Sequence, residues 1–403
     1  MVFKEDIQAA FYSQKRVLDR DFGFIQREML GIFRPSSTHV EVITGIRRCG
    51  KSTLMRQIVQ QYYEKVAYFN FEDSRVFGFE VGDFSKLDGI MGEDVEACFF
   101  DEIQNVKGWE VFVRQLHERG EKVFVTGSNA SLLSREMGTR LTGRYLSHEV
   151  FPFSYQEYLN FLGLSHNQEN FKEYVVKGGF PEFLRDQNPE ILQMLLKDIL
   201  YRDIAVRYGI KNTHVLMDIA LYLISNIGKE VSFNGIRNTF NVGSPTTVSD
   251  YLSWMEDAYL LFFLPRFSWS SKSVSKNPKK IYCIDNGFAK SNSLSFTKDS
   301  GRLLENLVYL NLRKKYQKLF YYRDRKECDF VVFDGAACKW LIQVTEELHP
   351  DNRDREVEGL VEAMDFFNMD EGYIITMNQN DQLRKENKKI IIQDFKKFFD
   401  LLN

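Results

Sequence analysis

A chain of 403 residues exceeds what one hydrophobic core ordinarily holds, so two or three domains are expected. With 44% hydrophobic and 27% charged residues, the composition is that of a globular protein and excludes a disordered or collagen-like chain. A formal net charge of -3 excludes attachment to nucleic acid by overall charge and leaves only local basic patches for that purpose.

The opening MVFKEDIQAAFYSQKRVLDRDF lacks the apolar core of a signal peptide, and the most apolar run, Tyr259 to Leu264, is too short to span a bilayer. Cys49, Cys98, Cys283, Cys328 and Cys338 form no CxxC pair and read as free thiols. A cytoplasmic protein without membrane contact is expected.

Residues 39–45, HVEVITG, read as a β-branched strand running into glycine, and the stretch from Gly50 reads as a helix with Leu54, Ile58 and Tyr62 on one face. Between them GIRRCGKS fits GxxxxGK[ST], in which glycines let backbone N–H groups close around phosphate at a helix N-terminus. The predicted cradle is Gly45, Ile46, Arg47, Arg48, Cys49, Gly50, Lys51, Ser52 and Thr53. Lys51 is placed to reach the β and γ phosphates and Ser52 to ligate Mg²⁺, so ATP and Mg²⁺ are the expected cofactors.

Further along, VEACFFDEIQNV sets an apolar strand before Asp101 and Glu102. Asp101 would hold Mg²⁺, directly or through water, and Glu102 would act as general base on the attacking water. The next strand, KVFVTGSNA, ends in Thr126, Ser128 and Asn129, which are placed to sense a γ-phosphate or the lytic water. Then REMGTRLTGRY offers Arg135, Arg140 and Arg144 as arginine fingers, in cis or from a neighbouring subunit.

After Phe153 the apolar spacing turns helical through Tyr158, Leu195, Ile199, Leu216 and Leu223, which predicts a helical lid. Arg202 and Arg207 have Asp198 and Asp203 at salt-bridge spacing along it. From Val231, two short helices about the turn NVGSP and then YLLFFL predict a winged-helix arrangement. Its second helix carries Asp250, Glu256 and Asp257 without lysine or arginine, which disfavours phosphate. RFSWSSKSVSKNPKK, 266–280, reads as an exposed basic hairpin tip or linker.

From Gly301 the pattern is helix, strand, strand, helix, strand. NLRKKYQKLFYYRDRK interleaves Arg313, Lys314, Lys315, Lys318, Arg323, Arg325 and Lys326 with Tyr316, Phe320, Tyr321 and Tyr322. That mixture suits a nucleic-acid strand, by phosphate contact and base stacking, or equally a charged helix end beside core aromatics.

Taken together, GIRRCGKSTLMRQ, YFNFED, DEIQNVKGWE, VTGSNASLLS, EVFPFSYQEYL, GGFPEF, KKIYCIDNG and LIQVTEEL resemble a prokaryotic AAA+-related ATPase family over nearly the whole chain. The resemblance implies a P-loop ATPase joined to a C-terminal region of unassigned function. The C-terminal order also resembles the restriction-endonuclease-like fold, in which an acidic residue enters one strand and E-x-K follows on the next. Glu305 and Asp329 stand in matching places, but Gln343, Val344 and Thr345 replace E-x-K, which implies a degenerate site of Glu305, Asp329, Gln343 and Thr345. Glu347, placed on the same strand face as Gln343 and Thr345 by alternation, would complete a rearranged version.

The expected architecture is an α/β P-loop NTPase (AAA+-like) domain over 1–155, a helical lid and winged-helix domain over 156–275, and a restriction-endonuclease-like α/β domain over 276–403. The expected function is a Mg²⁺-dependent ATPase working as a switch with DNA or RNA. The alternatives are a regulatory ATPase whose C-terminal parts contact protein and an ATP-gated nuclease.

Overall fold

The structure, a computed structural model, describes residues 1–18, 23–92, 94–129, 143–294 and 300–402. The chain forms two compact units, one of Met1–Gly163 with Asp257–Tyr259 and the other of Leu164–Glu256 with Leu260–Asn403.

The first unit opens with α1 (Lys4–Leu18) and is built on β1 (Val40–Thr44), β2 (Val66–Asn70), β3 (Ala97–Asp101), β4 (Lys122–Gly127) and β5 (Tyr145–Glu149). These pair in the order β2-β3-β4-β1-β5, every pairing parallel. All five residues of β1 and of β3 are buried, as strands of a parallel sheet covered on both faces must be. With β4 lying between β1 and β3, the carboxyl ends of these three strands stand side by side, which is where open α/β sheets bind ligands. Phe84, Trp109, Phe112, Val113 and Leu116, from α3 (Phe84–Met91) and α4 (Trp109–Glu118), pack on Phe69, Phe100 and Val125 of the sheet. Each such side chain contributes roughly 1.5–3 kcal/mol by leaving water.

The second unit begins with helices Gln168–Lys177, Pro181–Asp186 and Pro189–Asp198, the last continuing as a π-helical stretch Ile199–Val206, and then Thr213–Ile224. A three-stranded sheet follows, ordered β6 (Glu230–Val231), β8 (Lys279–Cys283), β7 (Leu261–Pro265), with helices Phe233–Thr239 and Pro245–Asp257 between β6 and β7 in sequence. Helix Ser300–Lys315 leads into a six-stranded sheet of β9 (Lys318–Arg323), β10 (Glu327–Asp334), β11 (Ala337–Val344), β12 (Glu371–Thr376), β13 (Asp381–Lys385) and β14 (Lys388–Asp394), ordered β13-β14-β12-β11-β10-β9. β9, β10 and β11 run antiparallel, and β12 joins β11 in parallel after helix Pro350–Phe366. The β13–β14 hairpin and helix Phe395–Leu402 extend the pattern read from the sequence.

Two of the segments quoted for the family resemblance interlock here. Asp285 caps helix Asn286–Asn292, accepting from Phe288 N–H at 2.9 Å and from Gly179 N–H at 2.6 Å. Gly178 has φ +69°, and a Cβ there would lie 2.2 Å from the Asp285 carboxylate; one on Gly287 would lie 1.9 Å from the Lys177 carbonyl. GGFPEF and IDNG therefore need glycine because two backbones and a carboxylate share one volume.

Three expectations are corrected. Tyr316, Tyr321 and Tyr322 are buried, so their rings pack in the core and are closed to base stacking. Segment 266–280 is no free tip: Phe267 N–H bonds the Tyr321 carbonyl at 2.7 Å, its ring stacks on Phe333 at 5.5 Å, Ser271–Lys276 is helical, and Lys280 is buried. Glu347 lies beyond β11, which ends at Val344, so strand alternation does not bring it beside Gln343. Among the described residues, no helix is long and apolar enough to cross a membrane.

Candidate functional site

The loop after β1 turns on Gly45 (φ +147°), whose Cβ would strike the Val150 carbonyl at 2.2 Å, and enters α2 (Lys51–Tyr62) through Gly50 at φ +101°. Leu54, Met55, Ile58 and Val59 bury the inner face of α2 and fix its N-terminus at the carboxyl end of β1. Ile46 and Cys49 are buried, Arg48 is exposed at φ 64°, and Arg47 bonds Glu72 at 3.1 Å.

Lys51 folds back into the loop. Its Nζ donates to the carbonyls of Gly45 (3.0 Å) and Ile46 (3.2 Å) and lies 3.5 Å from Glu102 Oε1. Burial works against its charge, yet Glu102, Cys49 and Asp101 hold its proton more tightly than usual. The ammonium thus occupies the concavity where an anionic phosphate would take over as its partner.

Asp101 closes β3 in full burial. One carboxylate oxygen accepts from the Thr126 hydroxyl, the other from Tyr68 Oη (2.9 Å) and Asn70 Nδ2 (3.3 Å), and the Ser52 hydroxyl bonds the same group. Burial and then the neighbouring Glu102 push its proton affinity up, the state expected of a carboxylate built for a cation. Glu102 follows in the left-handed region (φ 53°, ψ 42°), which strains a residue with a Cβ and turns its side chain back toward Lys51. Burial opposes its charge, but Lys51 and then Gln104 hold it ionised below the ordinary range.

The strand end of β4 stands between these groups. Thr126 accepts the Glu102 N–H at 2.9 Å, and Ser128 and Asn129 are buried beside it. Gln104 ties the two strand ends together, its amide donating to Glu102 Oε2 and, at 3.5 Å, to Ser128 Oγ. A cavity of about 330 Å³ is lined by Tyr68, Asn70, Arg56 and Glu72, adjoining the Asp101 carboxylate.

The donor set fits Mg²⁺ and a nucleotide. Asp101 and Ser52 offer hard oxygens to a cation, and Lys51 and the backbone N–H groups of the loop could receive phosphate.

Arg144 does not serve this site in the same chain. It precedes Tyr145, which pairs with Val40 at the amino end of β1, roughly 13 Å of strand from Thr44 at 3.3 Å per residue. Arg135 and Arg140 lie outside the described residues.

The sequence reading missed Arg27. Its Nε meets Glu157 Oε1 at 2.8 Å, Nη1 donates to the Cys49 carbonyl and Nη2 to the Phe151 carbonyl, each at 2.8 Å. It braces the P-loop from behind, and no periodicity or motif marks QREML.

In the second unit, Glu305, Asp329 and Gln343 do come together: Gln343 Oε1 accepts the Asp329 N–H at 3.2 Å, and Lys280 Nζ links Asp329 to Glu305. Burial, then repulsion from Asp329 against the pull of Lys280, pushes Glu305 up to about 7. Thr345 turns away, its hydroxyl donating to the Glu347 carbonyl at 3.2 Å.

Residues 37–159 match the family described as AAA domain, 168–299 match the domain of unknown function DUF8612, and 300–394 match the domain of unknown function DUF4143. The chain is 34% identical over 370 residues to Uncharacterized protein MJ1544 of Methanocaldococcus jannaschii, covering 85% of this chain and 82% of that one. It is 32% identical over 349 residues to an uncharacterized protein of Haemophilus influenzae, covering 81% and 86%. Among solved structures, the Walker-type ATPase PABY2304 of Pyrococcus abyssi aligns over 72% of this chain and 96% of its own, with 14% identity and a TM-score of 0.41. The chain belongs to the family that includes MJ1544 and the Haemophilus influenzae protein, and its N-terminal unit carries an AAA-type ATPase domain.

Proposed function

We propose that the chain is a Mg²⁺-dependent ATPase that works as a switch. The observation that carries the reading is the convergence of Lys51, Ser52, Asp101, Glu102 and the β4 strand end on the carboxyl edge of one parallel sheet. Lys51 would exchange the Gly45 and Ile46 carbonyls and Glu102 for the β and γ phosphates. Ser52 and Asp101 would hold Mg²⁺, which supplies charge neutralisation at the phosphates when bound. Glu102, released from Lys51, would then take a proton from the attacking water, with Gln104 and Ser128 setting its orientation.

For the output, nucleic acid is the leading ligand, supported by the exposed basic side chains Lys314, Lys315, Lys318 and Arg325 of the C-terminal unit rather than by the acidic second helix of the winged-helix segment. A protein partner is the second reading, supported by exposed Asp250 and Glu256 on helix Pro245–Asp257 and by the burial of Tyr316, Tyr321 and Tyr322. We place the C-terminal sheet in the restriction-endonuclease-like class, kept for binding or packing. An arginine from a neighbouring subunit, Arg135, Arg140 or Arg144, would complete the site in an oligomer.

Steady-state ATP hydrolysis with Mg²⁺, with and without single- and double-stranded DNA and RNA, tests both levels. Glu102→Gln is expected to keep ATP binding and lower turnover by about 10²-fold or more, and Lys51→Ala to lose both. Stimulation by one nucleic acid that both variants abolish supports the first output; a rate indifferent to all of them sinks it in favour of a protein partner. Full turnover in Glu102→Gln removes Glu102 as the base.

A further inference from the structure

A cluster of charge outside the P-loop gathers around Lys280, the second residue of β8, whose side chain is 2% exposed. Its Nζ lies 2.7 Å from Asp329 Oδ1, 2.8 Å from Glu327 Oε1 and 3.2 Å from Glu305 Oε1. An ammonium has three donors, and here each has a carboxylate. Tyr282, two residues on and therefore on the same side of β8, donates its hydroxyl to Glu305 Oε1 at 2.7 Å. The second oxygen of Asp329 accepts the Val344 N–H at 2.9 Å.

The place where E-x-K would put its glutamate is likewise committed. Gln343 accepts from the Asp329 N–H and donates its amide to Glu356 Oε2 at 2.6 Å. A divalent ion held by Glu305 and Asp329 needs their oxygens at roughly 2.0–2.6 Å, and those oxygens already converge on one nitrogen. An ammonium and a metal ion cannot share that position. The residues present therefore do not fit the metal that a nuclease-like site implies, and the cause is a lysine from a different strand rather than the missing E-x-K alone.

We infer that Lys280 stands where the divalent cation would stand, a resident ammonium that closes the carboxylates of the C-terminal unit to Mg²⁺ and Mn²⁺. The inference rests on the nuclease-like reading of that unit and is independent of the ATPase. It makes the cluster a fixed electrostatic clamp between β8, helix Ser300–Lys315 and β10. It also predicts that this unit cuts no phosphodiester by metal-dependent chemistry.

The test uses the full chain with Ser52→Ala and Asp101→Asn, which silence the P-loop as a metal site, and measures bound Mn²⁺ by electron paramagnetic resonance. That protein is expected to bind none at millimolar Mn²⁺, and adding Lys280→Ala is expected to create one Mn²⁺ site, lost again with Asp329→Asn. Mn²⁺ bound while Lys280 is intact, and lost with Asp329→Asn, overturns the inference. So does a folded Lys280→Ala protein that gains no site, and that result counts against the nuclease-like reading while leaving ATP hydrolysis by the wild-type chain unaffected. Should Lys280→Ala fail to fold, acylation of Lys280 in the wild-type chain decides: protection from reagent with and without Mn²⁺ supports the clamp, and Mn²⁺-induced reactivity refutes it.

Discussion

Arg27 holds three elements of the first unit with one guanidinium, and its loss should be felt twice. Arg27→Ala leaves Glu157, itself buried, without its cation, which costs about 3–5 kcal/mol for a broken buried pair. The Cys49 carbonyl also loses a donor, so the glycine loop between β1 and α2 is no longer held. Arg27→Lys keeps the charge but not the planar fork, and is expected to retain most of the stability while weakening ATP binding on the order of tenfold, about 1.4 kcal/mol. Denaturant unfolding and ATP titration of the two variants check this; equal ATP affinity in Arg27→Lys and wild type would leave Arg27 a packing residue only. At this scale, legibility followed spacing. Lys51, Ser52, Asp101 and Glu102 stand at fixed offsets from strands and glycines. Arg27 reaches the site only through the fold and lies in no motif, while Gln104 and Tyr68 lie in segments that carry the family resemblance but take their roles at the site from the fold.

Strands and helices were mostly readable as elements, but not the side on which each is covered. In β9, alternation puts Leu319 and Tyr321 on one face and Phe320 and Tyr322 on the other; all except Phe320 are buried, because the strand is covered on both sides. A one-sided strand and a two-sided one differ in their neighbours rather than in their own letters, which is why a stacking surface and a core strand looked alike. The same holds for the Asp285 cap, whose sequence IDNG gives the turn but not the burial. Burial pushes the Asp285 carboxyl up to about 6 against backbone N–H donors that pull it down, compared with 3.8 for a free side chain. Its protonated form is thus favoured by the fold. The associated stability is fully present below pH 3.8 and is lost as pH rises through about 6, a swing of roughly 3 kcal/mol at 1.36 kcal/mol per pH unit. Asn at this position has no charge to lose, so the stability gap between wild type and Asp285→Asn should narrow from about pH 4 to pH 7. A gap that widens over that range would mean that the backbone donors outweigh burial.

For the whole molecule, composition announced more than one domain, and the motifs placed the nucleotide site in the first unit. The division itself was less readable, since Asp257–Tyr259 belongs to the first unit although it follows the helices of the second in sequence. Each unit has its own core, one on the five-stranded sheet and the other including the six-stranded sheet. The four tryptophans divide accordingly: Trp109, fully buried, reports on the first unit, and Trp254, Trp269 and Trp340 report on the second. A ligand that binds only the first unit stabilises only what unfolds with it, by about 2.7 kcal/mol at a concentration one hundred times its dissociation constant. With Mg²⁺ and a slowly hydrolysed ATP analogue, the transition seen by Trp109 in a chain lacking the other three tryptophans should therefore move to higher temperature. The transition seen in a Trp109→Phe chain should stay in place. If both move by the same amount, the two units unfold as one cooperative body, and nucleotide energy reaches the second unit directly, without a separate switching step. If only the first moves, any effect of nucleotide on the second unit must pass through a change in its binding properties rather than in its stability.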